Sequence, residues 1–475
     1  MAEMYPDKTA VIQGKIRVSY GELNRESCRR ALWLRDLGIN AGDIVGILVS
    51  DHLEFIYTML ALLRLAVVAA PLSRYYQTKE LIVLCRKADI KLVISDNENC
   101  HKLSGTSVPF FVYDEYGPDD KETACGNPAA ANLYPDDPVI FLMTSGSTGS
   151  PKIASISQAA MKNRLDVELE TFNLDQNDRM MISTPLYHSL AMRMIMTALY
   201  SGMTLVLLKG FTACNWVSAV ESERVTYTIS VPVQLQAIAD YCERNGVTNE
   251  LDSVRTLLST SAPLLPEVRD RMIPYIKGEF YNFIASSETE FIARTNCKEQ
   301  QEKTVLGYPF PGVSIRIKKD SEQQGDDTGE ILCWSGELLT EYYNDRLLTQ
   351  EKFDQGYFCT GDRGYIDEKG CLYYAGRKKN TIICSGVNIY PEDIENEILK
   401  NKKVRDCYVF GAPDRRCGEK VVLLVTGDDL NERELKAYCL SRLSIFQQPR
   451  IIRILHEIPR DDLGKIRKEE ILKLI

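Results

Sequence analysis

From Thr9 to about Ala375, short β-branched runs alternate with stretches of helical periodicity, and this alternation restricts the chain more than any other property of its sequence. Asp43–Val49 reads as a strand, His52–Leu65 as a helix and Lys91–Ile94 as the next strand. Strands separated by helices pair in parallel and need cover on both faces, so a large α/β domain of doubly wound layers is expected. After Arg377 the elements shorten. Pro391 opens a helix carrying Ile394 and Ile398, strands follow at Cys407–Phe410 and Val421–Val425, and a second helix runs from Asn431 with Leu435, Cys439 and Leu443 on one face. Asn431 with Glu434 three residues on has the form of a capping box. At 475 residues the chain exceeds what one core serves. The expected division is therefore a large N-terminal domain over 1–378 and a small, mobile α+β domain over 379–475, with a hinge at Lys379. Just before that point, Asp367-Glu368-Lys369-Gly370 reads as a hairpin turn.

Charge and composition narrow the function. The chain carries 57 Lys and Arg against 66 Asp and Glu, a net charge of -9, which argues against a nucleic-acid or anionic-membrane surface and requires any polyanion to be met by a local site. The longest apolar stretch, Phe55–Leu72, contains Arg64 and Pro71 and reads as a buried helix running into a strand rather than a membrane span. The 14 cysteines are scattered from Cys28 to Cys439 without a C-x-x-C pair or a secretory leader, so reduced thiols and a cytoplasmic location are expected. Histidines stand far apart at His52, His101, His188 and His456, which argues against a zinc cluster.

The chemistry concentrates after Val139-Ile140-Phe141-Leu142-Met143, an apolar run expected as a buried strand. It empties into Thr144-Ser145-Gly146-Ser147-Thr148-Gly149-Ser150-Pro151-Lys152. Glycines let backbone N–H groups converge on an anion, hydroxyls donate to nonbridging oxygens, and Lys152 brings mobile positive charge, so the loop suits a triphosphate. Hydrogen bonds to a charged group are each worth roughly 1.5–3 kcal/mol, and several together hold a nucleotide even on an acidic protein. A Walker-type loop would need a second glycine followed by Lys and Ser or Thr; five places after Gly146 stands Pro151, followed by Lys152-Ile153. The kinase and ATPase reading fails on that comparison.

In this loop, and in order along essentially the whole chain, the sequence resembles the adenylate-forming superfamily of acyl-CoA synthetases, aryl-acid ligases and adenylation domains. Thr144–Lys152 matches that family's phosphate loop without a gap. Ile284-Ala285-Ser286-Ser287-Glu288 matches its Tyr-Gly-x-Thr-Glu, and Tyr357-Phe358-Cys359-Thr360-Gly361-Asp362 its Trp-x-x-Thr-Gly-Asp. Gly376-Arg377-Lys378-Lys379 resembles the hinge motif, and Pro459-Arg460-Asp461-Asp462-Leu463-Gly464-Lys465-Ile466 the closing lysine motif.

The resemblance implies roles residue by residue. Glu288 becomes the Mg²⁺ ligand, since that hard cation binds through one or two carboxylates plus phosphates, and Ser287 adds a hydroxyl near the phosphates. Asp362 accepts from both ribose hydroxyls, and Arg377 lies near ribose and phosphates. Ser261-Ala262-Pro263 resembles the small-residue strand end along adenine. Ile284 takes the place of the usual aromatic adenine platform, and Ala285 that of a glycine, so stacking on the base is weaker or differently made. Ala66 replaces another usual glycine and reads as a packing detail. Pro185-Leu186-Tyr187-His188 resembles the acyl-type motif that places a histidine, here His188, at the mouth of the acid pocket. Lys465 reaches between substrate carboxylate and α-phosphate, offsetting charge as pentavalent phosphorus forms. Gly307 resembles a turn beside the acyl and thiol tunnels, and Ser385-Gly386 the lining of the thiol path. Met192, Met196, Asn282 and Phe283 serve equally as pocket walls or core.

The implied activity is ATP-dependent activation of a small carboxylic acid to acyl-AMP, with Mg²⁺ and release of pyrophosphate, then transfer to a pantetheine thiol. The acceptor is either coenzyme A or the phosphopantetheine of a carrier protein. Near Pro185-Leu186-Tyr187-His188 there is no Phe-Asp motif of the kind that, in amino-acid-activating relatives, pairs with the α-amine, which favours an acyl or aryl acid. From another class, a nucleotide-binding protein without turnover would fit the substitutions at Ile284 and Ala285.

Overall fold

In the computed structural model, the described residues are 1–113, 133–144, 151–299, 304–319, 327–384, 387–414, 418–445, 447–461 and 464–474. They gather into two compact units. The first comprises Met1–Gln301, Phe310–Ser314 and Trp334–Phe358; the second comprises Glu302–Pro309, Ile315–Cys333 and Cys359–Ile475.

The first unit contains two sheets. In one, the strands Glu279–Ser286, Thr256–Ser259, Tyr227–Ser230, Arg179–Ile182, Thr204–Leu207 and Thr9–Gln13 lie side by side, all parallel. Antiparallel strands Glu290–Asn296 and Ile16–Ser19 flank this run. In the other, Pro138–Thr144, Val68–Pro71, Ile44–Leu48, Leu92–Ser95 and Phe110–Val112 are parallel. Lys152–Ser157 and then Glu341–Tyr342 continue it antiparallel. The strand Ile44–Leu48 is buried at every position, as a strand covered on both faces must be. One core cluster draws on Val11, Met180 and Leu205 of the first sheet, on Ile47, Ala69 and Ile140 of the second, and on the helices Gln158–Phe172 and Ser189–Ser201. This is the layered α/β architecture expected from the alternation.

Local signals act as their chemistry dictates. Ser19 caps the helix Tyr20–Asp36 and Glu22 returns the bond to the Ser19 backbone, a reciprocal capping box. Phe55–Leu72 is a helix, His52–Arg64, running into Val68–Pro71, and no helix among the described residues is long and apolar enough to cross a membrane. Between them Ala66 adopts φ +55, so the usual glycine there is a matter of left-handed backbone rather than packing, and alanine carries a strain of about 1–2 kcal/mol.

In the second unit, Tyr357–Ile366 and Leu372–Arg377 form the expected hairpin, with Asp367 Oδ1 accepting from the backbone N–H of Lys369 and Cys371. A further sheet pairs Val404–Asp414 with Gly418–Gly427, which also pairs in parallel with Ile451–Ile454. The helix Pro391–Ile398 buries Ile394 and Ile398 against it, and Glu432–Arg442 buries Leu435 and Cys439. The capping box expected at Asn431 does not form. Asn431 caps the N–H of Arg433, while the Glu434 carboxylate is turned to Lys403 at 2.8 Å. Lys379 lies in the single turn Lys378–Asn380 that links Leu372–Arg377 to Ile382–Cys384.

Candidate active site

In the first unit, candidate residues gather at the end of the strand Pro138–Thr144. Val139 to Leu142 are buried, which fixes where the strand stops and the loop begins. Ser145, Gly146, Ser147, Thr148 and Gly149 lie outside the described residues. The two ends of their loop are direct antiparallel partners, Thr144 opposite Lys152. Thr144 Oγ1 is buried with no hydrogen-bond partner among the described residues, an orphan of the kind a ligand oxygen satisfies.

Glu288 stands in the turn between Glu279–Ser286 and Glu290–Asn296, directly after Ser287. Leu339 N donates to the Glu288 carbonyl at 2.7 Å, and the Tyr342 hydroxyl donates to Glu288 Oε1 at 2.9 Å. No donor on Oε2 is found among the described residues. Lys152 Nζ sits 5.5 Å from the centroid of the same Tyr342 ring, within cation–π range. One tyrosine thus links the loop's lysine to the carboxylate. Burial and the neighbouring Glu288 charge push the Tyr342 hydroxyl well above its ordinary pKa, so it remains a donor.

His188 is the N-cap residue of Ser189–Ser201, and its ring centroid lies 4.4 Å from that of Tyr187 with the planes tilted by 48°. Next to it, Ser189 Oγ lies 3.1 Å from Ser287 Oγ, which joins the histidine's helix to the Glu288 turn. Thr260 Oγ1 donates to the Phe283 carbonyl at 3.0 Å, tying the end of Thr256–Ser259 to the strand that carries Ile284. Beyond it Ser261 has φ +77, and Ser261, Ala262 and Pro263 are all at least partly exposed. A bulge follows Ile284, which is half-buried and offers an aliphatic edge where an aromatic ring was the norm. Met192 and Phe283 belong to the core, and Met192 with Met196, Met59 and Met161 lines a small apolar cavity.

Other residues named by the sequence motifs lie in the second unit. Asp362 and Arg377 are cross-strand partners, and Arg377 Nε donates to Asp362 Oδ1 at 2.6 Å. Asp362 is buried, so this charge pair is shielded from water on the carboxylate side. Its backbone is set by Thr360, whose Oγ1 donates to Ile331 O and accepts from Asp362 N. Glu392 accepts from Arg377 N at 3.2 Å, and burial raises its carboxyl above the ordinary range. Gly376, at φ +106, passes so close that a Cβ there would come 2.5 Å from the Glu392 carboxylate. Gly307, expected in a turn, lies instead within the strand Val305–Pro309, where it pairs with Leu372 at a register shift and takes φ +87, a left-handed conformation that glycine adopts without strain. Lys465 is exposed beside a tight turn in which Asp461 Oδ1 accepts from Lys465 N and Asp461 N donates to Lys465 O. Ser385 and Gly386 lie outside the described residues, as does any account of the Lys379 side chain.

Mg²⁺ asks for few protein ligands. No group of three or more Asp, Glu, His or Cys that could cage a metal occurs among the described residues, and a single carboxylate with one oxygen open suits an ion that keeps waters and phosphate oxygens. The residues present therefore fit magnesium better than zinc.

Tyr342 escaped the sequence reading. Its two-residue strand Glu341–Tyr342 has no periodicity to read, and only its pairing with Lys152–Ser157 brings it to the site.

The described residues form an α/β fold in two compact units, and comparison with known proteins gives its class. Residues 1–343 match the model of the AMP-binding enzyme family, and residues 393–465 that of the AMP-binding enzyme C-terminal domain. The chain belongs to this family, within the adenylate-forming superfamily. It is 29% identical to a feruloyl-CoA synthase of Amycolatopsis sp, over 99% of this chain and 96% of that protein. With a 2-succinylbenzoate–CoA ligase of Bacillus licheniformis it shares 26% identity over 99% and 98% of the two chains. Its fold is that of ATP-bound MatB from Rhodopseudomonas palustris, with a TM-score of 0.89, 24% identity and coverage of 98% and 96%.

Proposed function

We propose that this chain is an AMP-forming acid–thiol ligase that couples a small carboxylic acid to coenzyme A through an acyl-AMP intermediate. The observation that carries the reading is the assembly of Thr144, Lys152 and Glu288 at one strand end, with Tyr342 joining the last two. The named relatives, a feruloyl-CoA synthase and a 2-succinylbenzoate–CoA ligase, support coenzyme A as the acceptor.

In the first half-reaction the substrate carboxylate attacks the α-phosphate of ATP and pyrophosphate leaves. The loop from Thr144 to Lys152, with Ser145, Gly146, Ser147, Thr148 and Gly149, holds the β- and γ-phosphates through N–H, hydroxyl and ammonium donors. Glu288 would hold magnesium, which when bound neutralises phosphate charge, and Ser287 donates beside it. Ser261, Ala262, Pro263 and Ile284 border the adenine, Asp362 takes the ribose hydroxyls and Arg377 steadies Asp362. His188 stands at the acid's entrance. Lys465 places an ammonium against charge that develops on the α-phosphate, a stabilisation specific to the transition state.

In the second half-reaction a thiol sulfur attacks the acyl carbon and AMP leaves. Gly307, Ser385 and Gly386 serve the thiol path, and residues 379–475 pivot at Lys379 between steps. The free thiols of all the described cysteines suit a reducing compartment, which we take to be the cytoplasm.

The test is product analysis. The purified chain, given Mg·ATP and a panel of aryl and fatty acids with and without free coenzyme A, should yield AMP, pyrophosphate and acyl-CoA by mass spectrometry. Acyl-AMP that accumulates and reacts only with a phosphopantetheinylated carrier would move the acceptor to a carrier protein. No turnover with any acid would leave a nucleotide binder.

A further inference from the structure

Charges dispersed over more than 100 residues of sequence converge beneath the turn that presents Glu288. Arg164 and Glu168 lie one helical turn apart on Gln158–Phe172, Arg193 lies on Ser189–Ser201, and Glu290 opens Glu290–Asn296. None of the four side chains is more than 4% exposed. Arg164 pairs with Glu290 Oε2 at 3.1 Å and Arg193 with Glu290 Oε1 at 2.7 Å. Arg193 also pairs with Glu168, whose two oxygens accept from the Tyr227 and Thr197 hydroxyls at 2.6 Å each.

Two arginines against two carboxylates leave no net charge, but neutrality does not explain the cluster. A buried ion network is weak support for stability, because well-packed apolar side chains commonly do as well. What apolar side chains cannot do is hold backbone carbonyls in place. Arg164 does this: besides Glu290, its NH2 group donates to the Ser287 carbonyl at 3.1 Å and its Nε to the Glu337 carbonyl at 2.9 Å. One planar guanidinium thereby grips the residue before Glu288 and the residue two after it. Glu290 is itself held at φ +57, a left-handed conformation that favours glycine and persists only where the surroundings over-determine it. Strain and ion pair sit at the same place, immediately after the carboxylate.

We propose that Arg164 is a positioning residue for adenylation: by fixing the Ser287 carbonyl and the Glu290 carboxylate, it sets the direction of the Glu288 carboxylate. This rests on the reading of Glu288 as the magnesium ligand. Arg164 touches neither nucleotide nor acid; it acts through the turn.

Two variants test it. Arg164→Lys keeps the charge but lacks the planar fork that reaches three acceptors. The double variant Arg164→Met/Glu290→Gly removes one charge of each sign, leaves Arg193 on Glu168, and places glycine where φ is +57. In folded variants, judged by circular dichroism and melting temperature, pyrophosphate release should fall about tenfold or more, as for other outer-shell partners of a metal ligand. The magnesium concentration for half-maximal rate should rise by a similar factor. Thioester formation from supplied acyl-AMP and coenzyme A should stay near the wild-type rate. An unchanged magnesium dependence, or equal loss of both half-reactions, overturns the proposal. Failure of both variants to fold also overturns it, because the cluster would then serve the fold. Glu288→Gln, run in parallel, separates the two readings. If that variant keeps the wild-type magnesium dependence, the assignment of Glu288 falls; if it loses activity while the Arg164 variants do not, only the positioning role falls.

Discussion

Glu337 is buried to 1% exposure beneath the same turn, and burial together with the Glu290 charge pushes its carboxyl up to about 8. Among the described residues its Oε2 accepts only a long bond from Phe291 N at 3.4 Å, while Arg164 spends its donors on Glu290 and two backbone carbonyls. The folded chain thus retains a proton that the unfolded chain releases near pH 4.5. A folded pKa above the unfolded one means that this group's contribution is fully present below about pH 4.5 and is lost as pH rises through 8. At pH 7 the gap is about 2.5 pH units, equivalent to roughly 3 kcal/mol of lost stability. Glu337→Gln keeps the shape, donates as the protonated acid does, and does not titrate. It should therefore raise stability by up to about 3 kcal/mol at pH 7, a shift of a few degrees for a unit of this size, and by almost nothing at pH 4.5. Melting temperatures of the two proteins from pH 4.5 to 8.5 make the comparison. A difference that is independent of pH, or a variant less stable at pH 7, would refute the reasoning.

Three further outcomes follow from the site. Tyr342→Phe keeps the ring under Lys152 but removes the 2.9 Å bond to Glu288, a bond to a charged group worth roughly 1.5–3 kcal/mol. Adenylation kcat/KM should drop about tenfold to a hundredfold, and steady-state assays showing less than a twofold change would remove Tyr342 from the site. Lys465→Ala should abolish acid-dependent pyrophosphate release yet leave thioester formation from supplied acyl-AMP largely intact; equal loss of the two would end the division of labour. Gly376→Ala forces a Cβ against the Glu392 carboxylate at φ +106, so the second unit should lose about 1–3 kcal/mol, read as earlier proteolysis of residues 359–475 on warming. A variant as resistant as wild type would contradict that contact.

Much of this was legible in the sequence where the signal is local. The strand Pro138–Thr144, the hairpin around Asp367 and the helix opened by Pro391 follow from periodicity and turn chemistry spanning a few residues. Glu288 and Asp362 were singled out because each ends a short contiguous motif that resembles the family's. The residues that were missed are joined across long separations. Arg164 and Glu290 stand 126 residues apart and Tyr342 and Glu288 54 apart, and a lone Arg or Glu on a helix ordinarily reads as a solvated surface charge. Sequence patterns mark which face of a helix is apolar; they do not reveal that a sheet will close over its charged one. At Ala66 the error was of another kind, since only the backbone dihedral shows why glycine is usual there. At Glu434 a surface lysine competed successfully with the local cap.

The central claim is that this chain joins a carboxylate to the α-phosphate of ATP. Exchange of labelled pyrophosphate into ATP, measured without any thiol, isolates that step because it requires acyl-AMP to form and revert. The account predicts exchange that depends on both a carboxylic acid and magnesium and that is lost in Glu288→Gln. Exchange that proceeds without acid, or nucleotide cleavage yielding ADP and phosphate instead of AMP and pyrophosphate, would contradict it.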